Sequence, residues 1–372
     1  MTVAFVVPRL VSGGAEHVMR IVSSRLQEQQ AERIVLVSLL DKPEDAAHQP
    51  GLPVEVIRLG CSRVMFALPA LLRTLLRERV QVVVSTLPYV IRLVSLMKAL
   101  TGGRLYHVAR LANTYSQQKS HAKGRFKEPV WMTRMVNLGV DHFIAVSGGV
   151  KDDFIRTYGV DAAKVTVINN PVDLMRFVYT DAPVLDKGPY HVLMVGRLVE
   201  QKNVQLALHA LHRLKLLVGK PVRLTLVGEG PLQDDLEQLA DALGLAGDLD
   251  FRGFQHNVGD YYKAADVLLM TSLYEGFPNV LVEGLAHGVA VVSVDCPSGP
   301  SDILVAPELG VLTGYDADEI ARAMQHCMEE LAGTQERVAR ARFVKNMFSI
   351  DSISGKYWEV ICAGMPPADN TY

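Results

Sequence analysis

The sequence predicts an α/β protein built on two doubly wound parallel sheets, and three observations lead there. At 372 residues the chain has the length of two domains rather than one. Short apolar runs alternate with helical patterns along it, as β-α-β units require. Ala265–Ile303, AADVLLMTSLYEGFPNVLVEGLAHGVAVVSVDCPSGPSDI, reads as strand, loop, helix, strand and loop. Its polar loops fall at strand ends, where open parallel sheets bind their ligands.

In chain order, Val3–Val7 is a buried strand, and PRLVSGGAEH carries it into a helix over Ala15–Gln27. Gly13 and Gly14 at that junction let backbone N–H groups face an anion or a sugar. Strands follow at Ile34–Leu39, Val54–Arg58, Val82–Ser85 and Leu105–Arg110, with helical stretches between them. Arg63–Arg79 has apolar residues at helical spacing among Arg63, Arg73, Arg77 and Arg79. Ser116–Arg134 is a basic loop ending near Trp131. Asp141–Phe154 and Val165–Asp173 close the first half, and Pro171–Pro189 reads as a linker.

The second half opens on strand Val192–Val195, which delivers Gly196 and Arg197, with Lys202 just ahead of a helix over Val204–Leu217. Two cations at a strand end suit a diphosphate, since arginine forks onto phosphate and lysine acts as a point charge. Leu224–Leu236 has Gly228 and Gly230 between a strand and a helix, with Asp250 downstream. That is a partial dinucleotide fingerprint, but Gln233 stands at the third glycine position. Phe251–Gln255 is a strand and loop. The aspartate pairs Asp248/Asp250 and Asp316/Asp318 read as solvated turns rather than metal ligands. In the Ala265–Ile303 unit, Glu275 lies in the loop and Glu283 on the helix Asn279–His287; a carboxylate there takes paired hydroxyls, and free N–H groups at the helix start take a phosphate. After Ile303 come a loop and a helix, then a last helix over Ser352–Ala363 and a polar tail.

Composition narrows the class. Apolar residues make up 49% of the chain, enough for full cores, while no apolar run reaches the ~20 residues of a membrane span. The start of the chain has no signal-peptide pattern, and the four cysteines have neither CxxC spacing nor histidine partners. Neither a disulfide framework nor a zinc site is expected, and a cytoplasmic protein fits. The net charge of −2 hides an asymmetry: residues 1–180 carry 23 Lys/Arg against 14 Asp/Glu, and the remainder is correspondingly acidic. A basic half with a basic amphipathic helix and a basic loop could rest on anionic lipid.

The string EGFPNVLVE, followed by a strand and the loop DCPSGPSDIL, resembles the donor-binding signature of retaining glycosyltransferases of family four, group 1, with the GT-B fold. The loop resembles the branch that extends lipopolysaccharide core and O-antigen chains. The resemblance covers nearly the whole chain and is densest over residues 192–314. It implies two facing Rossmann-like domains with an interdomain cleft: residues 1–171 for the acceptor, a linker over 172–189, residues 190–350 for the nucleotide-sugar donor, a helix over 351–365 crossing back to the first domain, and a tail over 366–372.

It also implies the activity: transfer of a hexose from a nucleotide-diphosphate sugar, UDP-linked by expectation, to a glycan or lipid-linked saccharide with retention. In that scheme Arg197, Lys202 and Glu275 are the catalytic residues: the two cations hold the phosphates and Glu275 the sugar. Glu283 grips the ribose hydroxyls. Gly13, Gly14, Gly196, Gly228, Gly253, Phe254, Gly276, Phe277, Pro278 and Asn279 complete the donor site. Arg110 and Asn113, in the RLAN segment, are acceptor-side candidates; many relatives carry a histidine there, and Asn113 is the nearest polar substitute. No metal or other cofactor is expected. Besides donor and acceptor, the expected partner is an anionic membrane surface met by residues 63–79 and 116–134 at the inner face of the plasma membrane; nucleic acid is not expected. Three alternatives stay open: an NAD-dependent oxidoreductase, which Gln233 disfavours; a sugar-nucleotide epimerase of similar two-domain shape; and a noncatalytic nucleotide-sugar-binding protein.

Overall fold

A computed structural model describes residues 1–10, 13–42, 44, 52–114, 138–173 and 188–364. The basic loop 116–134 and most of the expected linker therefore lie outside the described residues. The chain divides into two compact units, Met1–Pro171 with Ile350–Tyr372, and Val172–Ser349.

The first unit holds β1 (Thr2–Val7), β2 (Arg33–Ser38), β3 (Glu55–Arg58), β4 (Val82–Thr86), β5 (Tyr106–Leu111), β6 (His142–Ala145) and β7 (Val165–Val167). They form one sheet in the order β3-β2-β1-β4-β5-β6-β7, every pair parallel. Alternate residues of β1 feed two cores. Val3, Phe5 and Val7 pack with the helix Gly14–Gln29 and the last helix, Ile350–Ala363. Ala4 and Val6 pack with the helices Leu68–Arg77 and Pro88–Leu100. Burial on both faces explains why these strands are apolar throughout rather than alternating. The stretch expected as one basic helix is a 3₁₀ turn, Val64–Phe66, followed by Leu68–Arg77, whose Pro69 suits a first helical turn.

The second unit holds β8 (Tyr190–Val195), β9 (Val222–Val227), β10 (Leu249–Phe251), β11 (Val267–Met270), β12 (Ala290–Val294) and β13 (Gly310–Thr313), in the order β10-β9-β8-β11-β12-β13. Gly310–Thr313, expected as loop, is the edge strand. Its apolar residues are few, so its strand character comes from pairing with β12. One core lies under the helices Val204–Leu217, Gln233–Ala242 and Ala317–Glu330. On the other face the helix Asn279–Ala286 approaches β11 so closely that a Cβ on Gly284 would sit 2.6 Å from Leu268 Cδ2. Gly284 is therefore a packing glycine, and an alanine there would push helix and strand apart.

In both sheets the winding reverses once, between β1 and β4 and between β8 and β11. Such switch points leave a crevice beyond the strands' C-terminal ends, which is where ligands of doubly wound sheets bind.

Candidate active site

At the switch point of the second unit, two loops leave adjacent strands. Gly196 to Lys202 follow β8, and Thr271 to Pro278 follow β11. They are stitched together by main-chain and side-chain bonds. Leu273 N–H donates to the Gln201 carbonyl at 2.8 Å, and the Gln201 side-chain amide donates to the Tyr274 carbonyl at 2.9 Å. The Thr271 hydroxyl reaches the carbonyls of Lys202 and Asn203 at 3.0 and 2.9 Å. Tyr315 adds an outer tie, its hydroxyl 3.0 Å from the Leu273 carbonyl. Asn203 takes a left-handed backbone at φ 49° to turn the chain into its helix.

The charged groups sit inside this frame. Lys202 Nζ lies 2.6 Å from Glu275 Oε1, with only 15% and 11% of the two side chains exposed. Water is largely excluded from the pair, so its field is less screened than that of a surface ion pair. Arg197, in contrast, is exposed. Cys296, on the next loop, is buried, and burial together with the Glu275 carboxylate pushes its thiol up to about 12. It stays protonated and is no nucleophile.

A second loop pair backs the first. A Cβ on Gly228 would fall 2.0 Å from the Gly196 carbonyl oxygen, and one on Gly230 would fall 2.1 Å from that of Leu198. Only glycine lets the β9 loop pass under the β8 loop this closely. Gly228 N–H donates to the Gly253 carbonyl at 2.8 Å, and Phe254 N–H to Glu229 Oε1 at 3.1 Å. The Phe254 ring stands exposed, edge-on to His256.

The helix after the β11 loop brings Glu283. Its Oε2 accepts a 2.9 Å hydrogen bond from the Tyr262 hydroxyl, and Tyr262 is fully buried. Burial and the carboxylate raise the phenol well above its ordinary range, so it remains a donor. Phe277 is buried against Phe348, 5.8 Å between ring centroids, and Pro278 is buried at the helix start. Both shape the loop from beneath. Gly276 is buried as well, and Asn279 begins the helix half-buried.

The first unit separates its candidates. Gly13, at φ 84°, precedes the helix that Gly14 begins, and that helix carries Glu16 in its first turn. A Cβ on Gly13 would lie 2.6 Å from the Glu16 carboxylate, so a negative charge of the chain's own already faces this helix start. Asn113 is exposed beyond β5. Arg110, expected to face the ligand, is only 2% exposed. Its guanidinium donates to Asn170 Oδ1 at 2.5 Å and lies near the buried Tyr357 phenol of the last helix.

The aspartate pairs are structural. Asp248 pairs with Lys215, Asp250 with Arg252, and Asp316 caps a helix by accepting from Glu319 N–H at 2.8 Å. Among the described residues no three His, Cys, Asp or Glu side chains gather as a metal site would require. Gln201, Tyr262, Thr271 and Tyr315 escaped the sequence reading. Gln201 adjoins Lys202 in the chain and could have been suspected; the others meet their partners only in the folded protein.

Residues 12–176 match the family model described as Glycosyltransferase Family 4, and residues 178–346 that of Glycosyl transferases group 1. Among curated proteins, the chain is 32% identical over 221 residues to the lipopolysaccharide 1,6-galactosyltransferase of Salmonella typhimurium, covering 55% of this chain and 60% of that one. It is also 32% identical over 179 residues, 47% of each chain, to an N-acetylgalactosaminyltransferase of Campylobacter jejuni named for a diphospho-undecaprenol acceptor. The chain thus spans about half the length of the curated relatives it matches. Among solved structures, Anabaena HepE in complex with UDP and glucose superposes with a TM-score of 0.78 at 19% identity, covering 98% of this chain and all of that one. The lipopolysaccharide outer core galactosyltransferase WaaB follows with 0.76 at 19% identity, over the same shares. At that identity the likeness establishes the fold, which is GT-B.

Proposed function

The chain belongs to the family-four, group 1 glycosyltransferases by both of its halves, and we propose that it moves a hexose from a nucleotide-diphosphate sugar to a glycan or lipid-linked saccharide of lipopolysaccharide or related polysaccharide assembly. The observation that carries this reading is the pairing of two loops at one switch point, which puts Arg197, Lys202 and Glu275 at the ends of neighbouring strands. In it, the second unit holds the donor and the first the acceptor. Lys202 and Arg197 neutralise the diphosphate as the sugar–phosphate bond breaks, an electrostatic contribution that grows toward the transition state. Glu275 serves twice, fixing Lys202 and accepting from a sugar hydroxyl. Retention needs no protein nucleophile, because the departing phosphate can take the acceptor hydroxyl's proton on the face it leaves. The donor is a UDP-hexose, and the reaction requires no metal.

The same reading puts the protein on an anionic membrane through residues 63–79. Met65 and Phe66 are 70% and 59% exposed, and Leu76 is 64% exposed. Arg63, Arg73 and Arg77 are exposed with them, in the same 3₁₀ turn and the helix that follows. Apolar tips among cations match the two attractions of an interfacial helix. A lipid-linked acceptor is reached from such a surface. No described helix is long and apolar enough to cross a membrane.

The test is a thermal-shift panel of UDP, GDP, ADP and NAD, followed by turnover assays. One nucleoside diphosphate should raise the melting temperature, since a ligand at 100 times its Kd stabilises by about 2.7 kcal/mol. Free nucleotide should then be released from its sugar donor only when a saccharide acceptor is supplied. A shift with NAD alone points to an oxidoreductase, and conversion of the donor without acceptor points to an epimerase. Binding with no turnover on any acceptor leaves a binding protein; each of these three results rejects the proposal.

A further inference from the structure

The Tyr262–Glu283 contact has a consequence for how the donor is held. Tyr262 sits in the short helix Gly259–Ala264, ahead of β11, twenty-one residues before Glu283. Its hydroxyl reaches Glu283 Oε2 at 2.9 Å from a fully buried ring. The ring also stacks on His287, with centroids 5.0 Å apart and planes 20° from parallel. His287 in turn donates from Nδ1 to the backbone carbonyl of Glu283 at 2.8 Å, one helical turn back. One stacked aromatic pair therefore grips Glu283 at both its carboxylate and its main chain.

We propose that Tyr262 is the positioning residue for Glu283, holding its carboxylate in the single orientation that receives the vicinal ribose hydroxyls of the donor nucleotide, with His287 as its buttress. This rests on the reading that Glu283 grips ribose. A glutamate on a helix has three side-chain torsions, and fixing them costs free energy that must otherwise come out of ligand binding. The buried phenol fixes them in advance. An ionised carboxylate accepts about four hydrogen bonds, so a bond from Tyr262 orients the group without exhausting it. A hydrogen bond to an ionised acceptor is charge-assisted, which makes it about twice as strong as a neutral one. A flexible carboxylate would still attract a nucleotide, but it would discriminate poorly between a ribose and a sugar lacking one hydroxyl.

The experiment measures that discrimination. Binding is read by calorimetry for the nucleoside diphosphate, among UDP, GDP and ADP, that wild type binds best, and for its 2′-deoxy and 3′-deoxy counterparts. Wild type should prefer the ribonucleotide by at least ten-fold, and Glu283→Gln should erase most of that preference. Tyr262→Phe removes one oxygen and keeps the ring; it should lower the preference about three- to ten-fold and raise the donor KM with kcat within about two-fold. His287→Phe keeps the stack, loses the Nδ1 bond, and should lower the preference about two-fold. The double variant Tyr262→Phe/Glu283→Gln should be no worse than Glu283→Gln, because Tyr262 acts only through Glu283. If Glu283→Gln destroys the preference while well-folded Tyr262→Phe and His287→Phe retain it in full, Tyr262 has no such role. If Glu283→Gln itself retains it, the ribose reading of Glu283 fails first. Should Tyr262→Phe fold poorly, His287→Phe and its double variant with Glu283→Gln decide the matter by the same comparison.

Discussion

Lys202 and Arg197 read alike in the sequence and differ in the fold. Lys202 is nearly enclosed with Glu275, whereas Arg197 projects into solvent. Their alanine variants should therefore separate. Both should lose turnover, by about 10²–10³ if each stabilises the leaving diphosphate. Only Lys202→Ala should also lower the melting temperature, because it strands a carboxylate in a poorly hydrated place. Adding Glu275→Gln to Lys202→Ala should restore stability without restoring turnover. Equal stabilities for the two single variants, from denaturation curves, would count against this division of labour. A second residue-scale expectation concerns His107, fully buried between Ser85, whose hydroxyl meets Nε2 at 2.8 Å, and the Gly139 carbonyl, 3.1 Å from Nδ1. Burial lowers its pKa to about 4. The unfolded chain then binds the extra proton first as pH falls. Stability from the neutral ring is complete above pH ~6.5 and is lost progressively toward pH 4, by about 3 kcal/mol. Urea midpoints of wild type and His107→Phe, taken from pH 7.5 to 4.5, should converge on acidification; parallel curves would refute the assignment.

At the scale of elements, the β8 and β9 loops are held in contact by glycine. Gly228→Ala would drive a Cβ into the Gly196 carbonyl at a backbone φ of 142° that alanine resists. Overpacking and a forced backbone each cost about 1–3 kcal/mol, so the variant should unfold its unit early or displace the Arg197 loop. Gly219→Ala, with nothing within 4 Å of the added methyl, is the control and should behave as wild type. Comparable losses in both variants, measured by thermal denaturation and nucleotide binding, would show that close approach is not what Gly228 supplies.

For the whole molecule, the charge asymmetry becomes meaningful only with the exposed apolar and basic residues of 63–79. Burying Met65 and Phe66 in the bilayer interface would contribute up to about 1.5–3 kcal/mol each, and each arginine near an anionic surface about 1 kcal/mol. Vesicles containing phosphatidylglycerol should bind the protein, and added salt should weaken that binding because exposed charges are screened over ~8–10 Å. Phosphatidylcholine vesicles should bind it poorly. The Met65→Ser/Phe66→Ser variant should lose binding to either, and Arg73→Ser/Arg77→Ser should lose the preference for anionic lipid. Both should keep activity on a soluble acceptor analogue. Indifference to lipid charge in a sedimentation assay would remove the membrane face from the proposal.

What the sequence determined by itself is the local order of the chain. Continuous apolar strands, helix periods and Gly/Pro loops are short-range patterns, so the βα alternation and the helix Val204–Leu217 were legible directly. The motif glutamates were legible for a different reason: their spacing matches a family string. The edge strand Gly310–Thr313 was not, because an edge strand is specified by the neighbour it pairs with rather than by its own residues. Nor was the burial of Arg110, which depends on Asn170 and Tyr357, sixty and more residues away. Only the tertiary structure brought Tyr262 to Glu283 and Gln201 to Tyr274, since the first contact joins the helices on either side of β11 and the second joins the loops after β8 and β11. Chain spacing names the groups a site requires; the sheet order decides which of them meet, because adjacency at a switch point is a property of strand pairing and not of sequence distance.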